Sequence, residues 1–217
     1  MAGKNAAKAG PRIRDAEATQ KRILAAAKGE FAKHGLGGAR VDTIAERANA
    51  NKRMIYHYFG NKEDLFRAVL EDAYTDIRMA ERQLELDRLE PEEAIDRLVE
   101  FTWDYYLKHP EFLTLINSEN LHKARHLKKS RLIPELHKPF VDMVQAIIDR
   151  GVAKGVFRDD VDAVNLNITI AAIGYYYLTN RFTGAIVYDR NLMDRKRLDE
   201  RLQFNLQTIR RLLLKSS

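Results

Sequence analysis

Apolar residues recur along this chain at steps of three and four, and no useful stretch alternates with period two. Ile23, Ala27 and Phe31, with Leu24 beside them, form one stripe of a first helix that starts between Asp15 and Thr19. Gly35 ends it by supplying a left-handed cap. A short second helix spans about 42–48, with Ile44, Ala45 and Ala48 inward. The break Asn49-Ala50-Asn51 follows: Asn49 tolerates positive φ and makes the turn, and Asn51 caps the next N-terminus. A third helix over about 52–59 buries Ile55 and Phe59. Gly60 and Asn61 end it, and Asn61 caps a long fourth helix with Glu63 and Asp64 in its first turn. That helix continues through Leu65, Val69, Ala73, Ile77 and Leu84 towards Leu89.

The remainder is also helical in period. Pro91 begins a helix to about 109, and Pro110 starts another through Leu115. Pro134 and Pro139 flank the start of a helix that reaches Val152; Gly155 and the acidic Arg158-Asp159-Asp160 segment form a loop. Two last helices cover about 162–182 and 194–215. The pattern predicts an all-α protein of about nine helices: a basic, disordered arm over 1–14, a three-helix unit over 15–61 and a helical bundle over 62–217.

Charge divides the same way. Residues 1–60 hold twelve Lys and Arg against five Asp and Glu, whereas the remaining 157 residues hold 25 against 26. The whole net charge of +6 therefore sits in the first quarter. A basic module joined to a neutral one is expected when only the first meets a polyanion. Cysteine is absent, which excludes disulfides, thiolate metal sites and cysteine nucleophiles and fits a reducing compartment. The first fifteen residues lack the apolar run of a secretory signal. The longest apolar run, 168–178, is half of the ~20 residues a membrane span needs. Together these suggest a cytoplasmic protein without membrane contact.

Two short helices joined by a tight turn, the second opening with Lys52 and Arg53, make a helix-turn-helix. Cations at a helix N-terminus oppose its dipole, and nucleic-acid phosphates or guanine acceptors would offset that on binding. Tyr56, His57 and Tyr58 follow on the same helix, and Lys62 opens the next. The run TIAERA-xxx-KRMIYHYFGNKEDLF, preceded by ILAAAKGEFAKHG, resembles the N-terminal domain of the tetracycline-repressor (TetR) family of bacterial transcription regulators over about residues 19–66. One departure is the turn, Ala48-Asn49-Ala50-Asn51, where the family usually has Ala-Gly-Val-Ser. The resemblance implies that Thr43 contacts a phosphate, that Lys52, Arg53 and Met54 face the bases, and that Tyr58 and Lys62 clamp the backbone with Tyr56 and His57 near by. Core packing is the competing reading of each aromatic.

The helix over 162–182 is apolar nearly all round and so needs two partners, its own core and a second subunit. Leu166, Ile170, Ile173, Gly174 and Tyr177, with Leu202, Leu206, Ile209 and Leu213 of the last helix, are the candidate interface. The resemblance implies a homodimer joined through a four-helix bundle, a palindromic operator in double-stranded DNA, and an unidentified small-molecule effector. Candidate pocket residues are Trp103, Tyr106, Phe112, Asn117, Asn120, His122, Asn165, Tyr175 and Tyr176, apolar walls with sparse polar groups. Glu119, His122 and His126 have metal-ligand spacing, but the partner Glu-x-x-His is absent and the neighbours are cationic, so no metal and no cofactor are expected. No nucleophile elbow, phosphate loop or paired carboxylates point to an enzyme. The alternative to a ligand-responsive DNA-binding regulator is a helical ligand-binding or scaffolding dimer without DNA activity.

Overall fold

The computed structural model describes residues 11–215, with side chains from Asp15 onward, and is all-helical. Ten α-helices follow in order: α1 Pro11–Gly38, α2 Val41–Arg47, α3 Lys52–Phe59, α4 Lys62–Arg82, α5 Pro91–Lys108, α6 Pro110–Leu121, α7 Leu132–Ala153, α8 Ala163–Thr179, α9 Arg181–Val187 and α10 Arg195–Leu213. Among the described residues the sole β pairing is an isolated bridge between Phe157 and Leu214.

The expected stripe is the first core. Ile23, Ala27 and Phe31 of α1 are fully enclosed with Ile44, Ile55, Leu65 and Phe66. This cluster does not stop at residue 61. It runs on through α4 to Trp103, Tyr106, Phe112 and Leu115, so the N-terminal unit and the upper half of the bundle share one apolar body. A second cluster unites Leu86, α5, α7, α8 and α10 around Leu98, Val144, Ile147, Leu166 and Ile209. Glycine at 151 is what lets α7 meet Phe157: a Cβ there would lie 2.0 Å from the Phe157 ring.

Boundaries differ from the periodic expectation at five places. Residues 1–10 of the expected arm lie outside the described residues, and α1 already begins at Pro11, whose missing N–H costs nothing at a first helical position. Gly35 breaks α1 at φ 63°, as expected, but a further helical turn reaches Gly38. The fourth helix stops at Arg82, not near Leu89. Glu85 turns left-handed, a 3-10 turn (Leu86–Arg88) buries Leu86, and Arg150 donates to the freed carbonyls of Leu86, Asp87 and Leu89 at 2.9–3.1 Å. α7 starts at Leu132, ahead of both prolines, and keeps Pro139 inside. The expected helix over 162–182 ends at Thr179, where Asn180 leaves helical geometry (φ −97°, ψ 14°) and its Nδ2 donates to the Tyr176 carbonyl at 2.9 Å. The short α9 then takes a new direction, a tenth helix that the apolar period did not separate.

Burial corrects the expected dimer interface. Leu166, Ile170, Gly174, Leu206, Ile209 and Leu213 all face the chain's own interior. Gly174 is buried and approaches Tyr106 and Trp103 of α5. Ile173, Tyr177 and Leu202 are half-buried against the same clusters. The apolar residues that α8–α10 leave outside are others, among them Val164, Ile168, Tyr176, Phe182, Ile186, Val187 and Phe204, with Ile186 82% and Phe182 72% exposed. Both sides of the stripe are apolar, and the chain keeps the side of Leu166, Ile170 and Gly174 for its own core.

Candidate nucleic-acid interface and internal cavity

The turn between α2 and α3 is built as the residue types require. Asn49 takes φ 47°, and the Asn51 side chain accepts from the Met54 amide at 2.8 Å. Asn61 repeats the device for α4, accepting from the Asp64 amide at 2.8 Å while its Nδ2 donates to Asp64 Oδ2 at 2.6 Å. Two braces from α1 were not legible in the period. The buried Glu30 carboxylate accepts from the Arg40 amide, which precedes α2, at 3.1 Å, and lies 3.2 Å from Arg47 Nη1. Arg22 donates through Nε to the Ala48 carbonyl at 3.2 Å, closing the far end of α2. Glu30 sits one position before the buried Phe31, so a charged residue at a core position was the signal that could have found it.

Ile55 alone anchors the middle of α3; Lys52, Arg53, Tyr56 and His57 are exposed, and Met54, Tyr58 and Phe59 are half-buried. Thr43, half-buried on α2, stands on the same module. The dipole conflict at the start of α3 is partly answered within the chain. Lys52 Nζ bonds Asp42 at 3.0 and 3.2 Å, and that carboxylate raises the ammonium pKa above its ordinary value. Arg53 makes no ion pair among the described residues. Lys62 reaches back 3.3 Å to the Gly37 carbonyl at the end of α1. The face thus presents a capped helix start, one unpaired guanidinium, a paired ammonium, and the polar edges of Tyr56 and His57.

Behind this module lies a cavity of about 410 Å³ bordered by α4, α5, α6, α7 and α8. Of the expected pocket residues, Tyr106, Phe112 and Tyr175 line it. Asn117 stands beside it, accepting from the Tyr175 hydroxyl. The others do not line it. Trp103 is buried against Tyr177, with ring centres 5.6 Å apart. Asn120 is exposed at the end of α6 and Asn165 in the first turn of α8. His122 Nδ1 bonds the Ser118 carbonyl at 2.6 Å, and Tyr176 faces outward. Sequence reasoning missed further lining residues on α5, α6 and α8, and two whole walls: Tyr74, Ile77, Arg78 and Glu81 of α4 and His137 of α7. Arg78 and Glu81 fall within a helix whose exposed face is also charged, so spacing could not mark them as interior.

The Glu119/His122/His126 spacing has a structural use. Buried Glu119 accepts from the His126 amide, His126 Nδ1 and the Leu127 amide at 2.8, 2.6 and 2.9 Å, folding the chain after α6. These bonds hold the Glu119 carboxyl below its usual range against the upward push of burial. His126 lies edge-on to Phe66 of α4, and Arg125 bonds Glu63 at 2.8 Å. No group of three or more metal-binding side chains converges among the described residues. No helix there is long and apolar enough to cross a membrane.

Comparison with known proteins follows this division. Residues 23–69 match the model for bacterial regulatory proteins of the tetR family, and residues 91–209 match the tetracyclin repressor-like C-terminal domain. The chain is 42% identical to the HTH-type transcriptional repressor NicS of Pseudomonas putida over 91% of its own length and 93% of the relative's. It is 38% identical to the repressor SCO4008 of Streptomyces coelicolor, over 74% and 78%. The crystal structure of the transcriptional regulator SCO4942 from Streptomyces coelicolor superposes with a TM-score of 0.68 at 25% identity, covering 90% of this chain and 98% of that one. The helix-turn-helix that α2 and α3 form, and the bundle behind it, thus both fall under matching family models: the chain belongs to the tetR family and is a helix-turn-helix transcriptional repressor, not an enzyme.

Proposed function

We propose that the chain works in the cytoplasm as a homodimer that lays two copies of α3 into successive major grooves of a palindromic operator and is released by a small molecule. The observation that carries this reading is the exposed, Asn51-capped start of α3, with Arg53 unpaired beside Tyr56 and His57. Arg53 and Met54 read base edges. Lys52 exchanges its bond with Asp42 for DNA; Thr43, Tyr58 and Lys62 hold phosphates. Two-fold symmetry spaces the reading helices by about 34–36 Å, one turn of DNA. The second copy covers the exposed apolar residues of α8–α10. The effector occupies the 410 Å³ cavity, which α6 borders while it also packs along α1. Filling it favours a dimer whose heads are wrongly spaced, by as much as the ligand's differential affinity for the two states.

The test is retention of duplex DNA from upstream of the coding sequence, titrated with salt. Affinity falls with ionic strength, and Lys62→Ala weakens binding to all sequences and lowers the logarithmic salt slope by about 1. Arg53→Ala relaxes base preference. Retention at low salt no greater than that of a neutral control protein overturns the reading. An intact preference with lowered affinity in Arg53→Ala assigns that residue to backbone.

A further inference from the structure

The cavity wall holds a charge that the fold does not answer. Arg78 is only 9% exposed, and its guanidinium has one ion-pair contact: Nη2 lies 2.9 Å from Glu81 Oε1. Nε and Nη1 are buried with no hydrogen-bond partner among the described residues, and so is Glu81 Oε2. The guanidinium lies 4.0 Å from the centre of the Phe140 ring, so that face is already occupied. Arginine does not shed its proton in proteins, whereas a buried carboxyl can regain one. Burial outweighs the attraction of Arg78 and pushes Glu81 up to about 8. His137, the other ionisable non-phenolic group on this wall, is held towards its neutral form by burial and by Arg78. Burial thus favours the neutral forms of Glu81 and His137 beside a guanidinium that keeps its charge, and two donors of that guanidinium are left without a partner at the border of an apolar, ring-rich space.

We propose that this cavity binds a compact monocarboxylate, its carboxylate on Arg78 and its ring among Tyr74, Tyr106 and Phe112. The inference rests on reading the cavity as the effector site and adds the effector's chemical class. One arginine beside one carboxyl matches a single negative charge; a phosphate dianion would call for more cations than the wall offers. The volume is at the lower end for small-molecule sites, and the aromatic walls suit a flat body. Glu81 Oε2 meets a ring hydroxyl, a ring nitrogen or the carboxylate's second oxygen, according to which partner carries the proton.

Calorimetric titration of the full chain decides it, with benzoate, phenylacetate and cyclohexanecarboxylate as probes, each beside its amide, and benzylamine as the cation. The expected result is at least one acid that binds about tenfold or more tighter than its amide. Arg78→Gln loses that margin, and Arg78→Lys, which keeps the charge but not the planar fork, keeps part of it. The inference is overturned if no acid binds, if an amide or the amine binds as well, or if Arg78→Gln binds the acid unchanged. Should Arg78→Gln fail to fold, the acid-to-amide comparison on the unaltered chain decides by itself. Retention of DNA is followed in the same samples. An acid that needs Arg78 yet leaves DNA bound upholds the chemistry and defeats the effector reading. A neutral or cationic compound that releases DNA without needing Arg78 does the reverse.

Discussion

At the scale of single residues, a few short polar side chains decide whether α3 stands ready. Asn51 answers an amide that the helix itself leaves orphaned, and it does so on an eight-residue helix with little else to hold its start. Asn51→Ala lowers unfolding stability by about 1 kcal/mol in denaturant titration, whereas Asn51→Ser retains most of it. Glu81 sets a pH dependence. Its folded pKa, about 8, lies above the ordinary 4.5 because burial disfavours the charge. Between those values the folded chain keeps a proton that the unfolded chain has released, so this group's contribution to stability falls as pH rises from about 5 to about 8. Arg78, Tyr106 and His137 are the groups around it. Unfolding midpoints measured across that range show a flatter profile in Glu81→Gln. Of these two residues only Asn51 was legible beforehand: a cap works through sequence neighbours, and Glu81 is unusual only because of what folds over it.

At the scale of elements, helix identity was legible and helix ends were less so. Most ends were marked by residues acting within four positions: Pro91 and Pro110 as starts, Asn51 and Asn61 as caps, Gly35 as a stop. The misplaced end of α4 was set from afar. α4 stops at Arg82 because turning inward buries Leu86 and Arg150, far along the chain, supplies the donors. Close approach of α7 to the loop after it depends on Gly151, and Gly151→Ala forces a methyl into the Phe157 ring. That substitution lowers the unfolding free energy by about 1–3 kcal/mol in denaturant titration. The coupled variant Gly151→Ala with Phe157→Leu recovers part of the loss, because the two side chains compete for one space.

At the scale of the whole molecule, one apolar body links reading head and bundle, and a second apolar surface remains outside. Phe66, shared by α1, α4 and His126, ties the head to the chain after α6. Ile168, Tyr176, Phe182, Ile186 and Phe204 of the last three helices are all more than half exposed, a concentration of the kind that marks interaction surfaces. On the proposed dimer, Phe182→Asp combined with Ile186→Lys shifts the sedimentation coefficient from that of two chains to that of one without loss of helical circular dichroism. The same variant loses affinity for a palindromic duplex far more than for a half-site, since only the paired heads gain from two sites.

The all-α class, the three-helix head, its Asn-made turn and the concentration of positive charge were determined by sequence alone. Each follows from periodicity, capping or charge read over a few neighbouring residues. Which side of α8 and α10 the chain keeps for its own core, and which charged residues of α4 turn inward to meet α7, were decided only by tertiary structure. A helix with two apolar sides, or with charge on several, has no local preference between them. The choice belongs to the partners that pack against it.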